Sequence, residues 1–365
     1  MKKLLFISLV ATAMLAGCSN DEMVETTQSG AIRFDGFVNK STRGVADDIT
    51  TASISNFSVY GFMTDATGQI FTGEAVTKGA DNAWTYINTQ YWTAGKEYWF
   101  SAIAPTTDAQ WTYAVNSKVE GGIITFENGD GTQDLLYAYS GKVSCTTPAE
   151  QGAVSFTFNH LLSRVKFNFT NSMGNDNITL KVTEVKITDA DNKATCDVSA
   201  ATKTWTPATD NVAGDLAFGS VLATDAKIAN AGSSATDHKY MIPQKKAYTL
   251  SFKVVMYQGA VEAATYTHTG VEMPEVEMAA GFSYVFNAEL TAKNIDPDGE
   301  LYPIEFTVTK VEDWEDFAGE TVTIPETTTP DHKPFSTALS GKLGCRILGY
   351  KGLNVPLYSQ LRAAE

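Results

Sequence analysis

Cysteine, basic charge and long apolar runs are all scarce in this chain. The 365 residues include four cysteines, too few for the dense disulfide framework of a small secreted domain. After the first residues, no segment approaches the roughly 18 uninterrupted apolar residues of a transmembrane helix. Lysine and arginine number 27 against 42 aspartates and glutamates, for a formal net charge of -15. Because nucleic-acid binding needs clustered basic residues, this deficit excludes nucleic acid as a partner.

Signatures of catalysis and metal binding are missing too. The sequence has no paired-histidine metal motif, no glycine-rich phosphate loop and no serine elbow. His160 falls within an apolar alternation and is expected to be a strand residue rather than a ligand. Asp189, Asp191 and Asn192 resemble a calcium loop, but the glycine and the glutamate of that loop are absent, so a turn is expected. No enzymatic activity, cofactor or metal is predicted.

The beginning of the chain has the pattern of a lipoprotein signal. Two lysines precede a short apolar run that ends in LAGC at residues 15–18. The run is shorter than the about 20 residues that span a bilayer, so it is predicted to be a signal peptide, residues 1–17. Cleavage is expected between Gly17 and Cys18, and the Cys18 thiol is expected to carry the lipid. An ordinary secretory signal with an incidental cysteine is the alternative.

The residues after Cys18 indicate where the lipidated protein is held. Residues 19–22 (SNDE) resemble the acidic tether of surface lipoproteins in the Bacteroidetes group, which implies an outer-membrane lipoprotein on the cell surface. Residues 18–30 are small and polar and are expected to form a flexible tether. Acylation would anchor the protein to the membrane while its folded part stays in water. The outer membrane is therefore an expected partner through the lipid anchor.

Three cysteines remain once Cys18 is lipidated, an odd number that cannot pair fully within one chain. Cys145 and Cys196 could form a bridge in an oxidising compartment. The sequence does not place their Cα atoms within the about 7 Å that a disulfide tolerates, so a framework is not expected.

Strand patterns dominate the rest of the chain, and helical periodicity is nearly absent. Apolar and polar residues alternate most clearly over 154–158, 165–169, 250–256 and 282–286. Alternate side chains of a strand point to opposite faces, so Arg164, Lys166 and Asn168 are expected to face away from the core. Clusters of glycine, asparagine and aspartate separate the segments and predict turns. The pattern predicts an all-β protein of the sandwich class.

Changes of composition suggest how these strands are divided. The polar segment 146–152 separates two strand-rich halves, so an N-terminal β-sandwich is predicted at 31–150 and a C-terminal one at 151–325. After residue 325 the alternation stops and basic residues outnumber acidic ones. Residues 326–365 are predicted to be a weakly ordered basic tail.

Several segments together resemble the fimbrillin-like lipoproteins of Bacteroidales, the subunits of type V pili. They are AIRF at 31–34, STRG at 41–44, FSVYGF at 57–62, FTFNHLLSRVKF at 156–167, IEFTV at 304–308 and VEDW at 311–314. The resemblance covers most of the chain and rests on the order of these segments after the lipoprotein signal. It implies two tandem transthyretin-like β-sandwich domains with Greek-key-type connections. It also implies a fimbrial subunit, with a structural, tip or anchor role and other fimbrial subunits as partners.

The resemblance further implies assembly by donor-strand exchange after proteolysis. In the family, an arginine-directed protease removes the N-terminal segment with its first strand, which corresponds here to residues 31–38 and to the Arg43–Gly44 bond. Arg33 is the competing site, and a loop that is never cut is the alternative. Because 326–365 follows the last expected strands, 304–310 and 321–324, the donor strand is not assigned.

Aromatic residues offer a different function. Between residues 84 and 113 lie eight tryptophans and tyrosines, and Trp84, Trp92 and Trp111 could form a platform that stacks on sugar rings. Host or bacterial surface glycans or proteins would then be partners. Aromatic residues are also common in buried strands, so core packing is favoured. The exposure of the rings distinguishes glycan binding from core packing, because a platform needs several rings on one open face.

Overall fold

The computed structural model describes residues 30–38, 49–106, 110–115, 121–221, 226–299, 303–311 and 321–322. Within these ranges the protein is all-β, as predicted: there are 23 strands and two short 3₁₀ segments, Pro148–Glu150 and Pro297–Gly299, and no α-helix. No helix in these ranges has the length and apolar character to cross a membrane. Residues 1–29, which include the predicted signal, and the predicted tail lie outside the described residues.

The strands are numbered in chain order. They are β1 (Phe34–Val38), β2 (Asn56–Met63), β3 (Gln69–Lys78), β4 (Trp84–Thr85), β5 (Lys96–Ala104), β6 (Trp111–Val115), β7 (Gly122–Glu127), β8 (Leu136–Cys145), β9 (Val154–His160), β10 (Ser163–Asn171), β11 (Ile178–Ala190), β12 (Lys193–Asp197), β13 (Trp205–Pro207), β14 (Gly214–Gly219), β15 (Ser233–Ala235), β16 (Lys239–Met241), β17 (Lys245–Lys246), β18 (Thr249–Gln258), β19 (Val261–Glu272), β20 (Val276–Glu277), β21 (Ser283–Leu290), β22 (Phe306–Val311) and β23 (Thr321–Val322). β22 and β23 match the last strands expected from the sequence.

The first sheet has seven strands in the order β1-β9-β8-β5-β2-β3-β4. β1 lies at one edge of this sheet and runs parallel to β9, whereas every other pair in the sheet is antiparallel. In β9 the alternation has the predicted effect: Val154, Phe156 and Phe158 are buried, and the residues between them are exposed. One face of this sheet forms the N-terminal core, which contains buried side chains of β1, β2, β3, β5, β8 and β9.

A smaller four-stranded sheet, in the order β13-β12-β7-β6, covers a second cluster of buried side chains. This cluster, the middle core, joins residues of β7, β12 and β13 to residues of β5 and β8 that point away from the N-terminal core. In β5, for example, Ala102 belongs to the N-terminal core and Ile103 to the middle core. Both faces are therefore buried over residues 100–104 of β5 and 136–138 of β8, where the sequence is largely apolar.

A β-sandwich forms the C-terminal part. The sheet of β15, β10, β21, β22 and β23, with β16 also paired to β10, faces the four-stranded sheet β14-β11-β18-β19 across the C-terminal core. Phe167 of β10 and Phe286 of β21 stack within it, with ring centroids 5.6 Å apart. Strands β17 and β20 form a separate two-stranded ladder. The predicted alternation in 165–169 and 282–286 is thus explained by burial of one sheet face.

Strand pairing crosses the boundary that the sequence suggested at residue 150. β9, which that boundary assigns to the C-terminal sandwich, lies in the first sheet and contributes to the N-terminal core. β12, from the later half, pairs with β7 of the earlier half, and β13 joins the same sheet by pairing with β12. Only Leu161 and Leu162 separate β9 from β10. The polar segment near 150 is a connection between two strands of one sheet, β8 and β9.

Arg164 also departs from the alternation. The sequence predicts that it faces away from the core, but the structure places it among the most buried side chains, at 1% exposure. Its Nε donates a hydrogen bond to Oγ of Ser283 over 2.8 Å. Residue 164 pairs in register with Ser283 of β21, so the polar partner comes from the neighbouring strand. The periodicity of β10 alone does not predict a hydrogen-bond partner on another strand.

Candidate assembly site

The segment from Gly30 to Val38 is held as a strand along both of its edges. On one side β1 pairs with β9 in a register that joins Phe34 to Val154 and Val38 to Phe158. On the other side Ile32 N donates to Gln90 O over 2.8 Å. Near the end of β1, Thr51 Oγ1 accepts from Val38 N over 2.9 Å and lies 3.1 Å from Val38 O, to which it donates.

Tyr86 adds a hydrogen bond to the backbone of this segment. Its hydroxyl donates to the carbonyl oxygen of Ile32 over 2.6 Å. Burial raises the pKa of Tyr86 above its usual value, so the hydroxyl remains protonated and able to donate. From the sequence, Tyr86 was noted only as one of the eight aromatic residues considered for glycan binding, and Thr51 was not identified. They are distant from β1 along the chain, and a polar residue that contacts a distant backbone leaves no local pattern.

Alternate side chains of this segment enter the N-terminal core. Ile32, Phe34 and Val38 are exposed by 1%, 2% and 6%. Phe34 has the densest surroundings, because its ring centroid lies 5.3 to 5.8 Å from those of four other aromatic residues, Phe71, Tyr86, Phe100 and Phe156. Full burial of a side chain of this size contributes about 1.5–3 kcal/mol. The fourth inward position is Gly36, which is buried as well.

The side chains between them point outward. Arg33 is exposed, and Phe37 is 51% exposed although it is a large apolar residue. The carbonyl of Arg33 accepts a hydrogen bond from Val154 N over 2.7 Å, so its backbone is part of the pairing with β9. Proteolysis after Arg33 would need this pairing to open. The paired backbone therefore disfavours cleavage at Arg33 while β1 is in place.

We call the groove that receives residues 32–38 the β1 slot. It comprises the edge of β9, the segment around Gln90 and the apolar pockets occupied by Ile32, Phe34 and Val38. Removal of β1 would expose those pockets and the hydrogen-bonding edge of β9 together. A strand from another chain can satisfy both at once, because main-chain hydrogen bonds supply affinity and the pockets supply selectivity.

The predicted processing and lipid residues are not part of this geometry. Gly17, Cys18, Arg43 and Gly44 lie outside the described residues, so their predicted roles remain predictions. Residues 39–48 join β1 to the rest of the sheet in sequence. The predicted cleavage bond therefore lies between β1 and β2 in the sequence.

The three tryptophans of the predicted glycan platform do not share an open face. Trp92 is 5% exposed in the N-terminal core, with its ring 4.6 Å from Tyr98. Trp84 is partly buried and packs on Phe57 at 4.8 Å. Trp111 packs against the middle core, and its Nε1 donates to a backbone oxygen over 2.8 Å. The structure therefore supports the core-packing interpretation of these rings and not the platform.

The remaining polar candidates have structural surroundings. His160 is a strand residue as predicted, and its Nδ1 lies 2.7 Å from Oδ2 of Asp134, with both side chains buried. Asp189 lies within β11 and Asp191 in the two-residue connection to β12, where Lys246 Nζ is 3.7 Å from the Asp191 carboxylate. Among the described residues, no group of three His, Cys, Asp or Glu side chains is arranged to hold a metal ion.

The two cysteines considered for a bridge lie in different cores. Cys145 is in the N-terminal core and Cys196 in the middle core, and both are buried free thiols. Burial raises the pKa of Cys196 to about 12, so its thiol is un-ionised at neutral pH. Both behave as small apolar core residues.

The chain belongs to the fimbrillin-like family, whose model matches residues 42–314. It is therefore a structural, non-enzymatic protein of the cell-surface fimbrial class. The match begins after β1, so the strand that fills the slot lies outside it.

One solved structure has a similar fold. A fimbrial protein from Bacteroides vulgatus is 17% identical, with a TM-score of 0.58, over 78% of this chain and 100% of its own. The fimbrial anchor protein Mfa2 from Porphyromonas gingivalis is 11% identical, with a TM-score of 0.35, over 77% of this chain and 96% of its own. No curated protein matches the chain.

Proposed function

We propose that this protein is a structural, tip or anchor subunit of a fimbria, held on the outer membrane by a lipid on Cys18. It joins other subunits by donor-strand exchange after cleavage of the Arg43–Gly44 bond releases the segment that contains β1. The vacated β1 slot then receives a strand of another subunit.

The observation that carries the proposal is the way β1 is seated. It is a short parallel edge strand with three buried apolar side chains, held by hydrogen bonds and packing alone. Its backbone contacts on both edges are of the kind that any strand can make. Its chain continues into residues 39–48, which contain Arg43, so one cut there would leave β1 attached to the sheet by non-covalent contacts only.

The experiment compares protein recovered from the native cell surface in two forms, monomeric and heat-resistant high-molecular-weight material. Intact mass and N-terminal sequencing are measured for each. We expect polymer to begin at Gly44 and monomer to begin at an acylated Cys18. Polymer that retains residues 18–43 would refute strand removal as the route to assembly.

Two variants make the comparison specific. R43A should keep the chain uncut and absent from polymer, because it removes the proposed cleavage site. R33A is the matched control, because Arg33 is the other arginine near the slot and its side chain is exposed. Loss of polymer in R33A, with R43A unaffected, would move the cut into β1 and contradict the proposal.

A further inference from the structure

One of the four inward positions of the β1 slot differs from the others. Ile32, Phe34 and Val38 are large and apolar, whereas position 36 is glycine. Glycine is often required where φ is positive, but Gly36 is not among the residues with such a φ. Its backbone is one that any residue can adopt, so the reason for glycine at this position is the space around its missing side chain.

That space is closed by aromatic rings. A Cβ at position 36 would lie 3.3 Å from Cε2 of Phe158, 3.3 Å from Cε1 of Phe57 and 3.5 Å from Cζ2 of Trp84. A methyl group would therefore fit only if a neighbour moved by a few tenths of an ångström. A branched side chain would place further atoms against the same rings.

The rings that close this position cannot move easily. Phe57 and Phe158 are both 0% exposed. Phe57 packs at 5.3 Å on Phe158 and at 4.8 Å on Trp84. In close-packed interiors, extra methyl groups force strained side chains or backbone shifts, which destabilise the structure. The wall at position 36 is part of the core itself and not a mobile surface side chain.

Two residues earlier, the slot has the opposite character. The pocket of Phe34 is lined by the rings of Phe71, Phe100, Phe156 and Tyr86. Gly61 helps to make room there, because a Cβ at that position would lie 2.9 Å from Phe71 and from Phe100. The β1 slot thus has a deep aromatic pocket next to a position with no room for a side chain.

We infer that Gly36 marks the specificity-determining position of the β1 slot. The strand of another subunit that replaces β1 has the inward pattern aliphatic, aromatic, glycine, aliphatic at alternate residues, as Ile32, Phe34, Gly36 and Val38 do. This inference rests on the proposed function, since it names the chemistry of the strand that enters the vacated slot. The aromatic pocket attracts the correct strand, and the closed position rejects strands with a side chain there.

The test uses the full chain carrying G36V as the receptor, because its own β1 then fits poorly. Hydrogen exchange of residues 32–38 and 154–158 shows whether β1 has been released. Fluorescently labelled peptides of the sequence 30–38 are then added, and binding is measured by polarisation. The peptides are the native sequence, G36A, G36V and, as the matched control at an outward position, F37V.

We expect β1 to lose protection in the G36V chain and the native peptide to bind it. The G36A peptide should bind more weakly, and the G36V peptide at least about tenfold more weakly than the native one. The F37V peptide should bind like the native peptide, because Phe37 points outward. If G36V disturbs the fold, seen as lost protection in β10 and β21, the G36A chain serves as receptor.

Other outcomes would overturn the inference. Retained protection of β1 in the G36V chain would mean that position 36 accepts a branched side chain. Equal binding of native and G36V peptides to a released slot would mean that the slot does not select there. A released slot that binds none of the peptides would instead refute the exchangeable slot, and with it the proposed function.

Discussion

The N-terminal and C-terminal cores are buried to the same degree, but the strands that complete them are connected differently along the chain. Phe34 of β1 and Phe252 of β18 are exposed by 2% and 1%. β1 reaches its partner β9 from far along the chain, whereas β18 and β19 form a hairpin with two residues between them. A hairpin strand cannot leave without opening its neighbour, whereas β1 is held only by contacts with distant segments. Topology, rather than burial, therefore distinguishes a strand that can separate from its sheet without opening a hairpin.

The largest effect is expected from truncating the side chain that anchors β1. F34A removes a ring surrounded by four aromatic neighbours. A buried Phe→Ala change costs about 3–5 kcal/mol. Hydrogen exchange of residues 32–38 and 154–158 should show β1 released while β10 and β21 stay protected. F37A is the control, and its 51% exposure predicts a change within about 0.5 kcal/mol. Similar loss of protection in both variants would contradict the packing argument.

A matching truncation in the C-terminal core tests whether the two regions are independent. Phe286 is 0% exposed and stacks on Phe167, so F286A should cost a similar free energy of unfolding, about 3–5 kcal/mol. We expect exchange to increase in β10 and β21 without release of β1, because β1 contributes to a different core. V261A, at a position 69% exposed in β19, is the control. If F286A also released β1, the two cores would unfold as one unit and the comparison would fail.

The sequence predicted the positions of the individual strands better than it predicted which strands pair. Alternation over 154–158 and 165–169 located β9 and β10, because one face of each strand is buried and the period of two follows from that. It did not predict that β9 belongs with the earlier strands. Pairing depends on residues far apart in sequence, and a polar turn inside a sheet has the same composition as a linker between domains.

The candidate site was predicted in the same partial way. Residues 31–38 were identified as a strand through a family resemblance. The contacts of Thr51, Tyr86 and Gly36 are seen only in the assembled sheet. Each of these residues contacts residues far away in sequence, which no local pattern identifies. Arg164 is the converse case. Its position in a polar series predicted that it faces away from the core, but it is buried and donates a hydrogen bond to a serine on β21.

A smaller effect is expected at Thr51, whose side chain hydrogen-bonds to the β1 backbone. Thr51 Oγ1 makes two hydrogen bonds with the backbone of Val38, one as acceptor and one as donor. T51V keeps the shape and removes both, which should lower the local stability of β1 by about 1–2 kcal/mol. Exchange at Val38 should accelerate by about five- to thirtyfold. T51S retains the hydroxyl and should stay close to the native protein; equally fast exchange in T51S would show that the hydrogen bonds are not the cause.

The smallest effect is a pH dependence confined to the C-terminal core. His268 of β19 is 4% exposed, its ring stacks on Phe252 with centroids 4.8 Å apart, and among the described residues its Nε2 has no hydrogen-bond partner. Burial lowers the pKa of His268, an effect that a hydrogen bond with the backbone of Ile295 and the charge of Asp296 partly offset. The unfolded chain therefore binds a proton more readily than the folded one.

The direction of the pH effect follows from that difference. Stability from this group is fully present above the unfolded pKa of about 6.5 and decreases as the pH falls toward the lower pKa of the folded state. In H268F, which keeps a ring on Phe252, urea unfolding followed through β18 and β19 should lose less stability between pH 7.5 and 5.5 than in the native protein. The N-terminal core, measured through β2 and β5, should respond equally in both proteins. An identical pH response of β18 and β19 in both would exclude His268 as its source, and a change in β2 and β5 would show that the two cores are coupled.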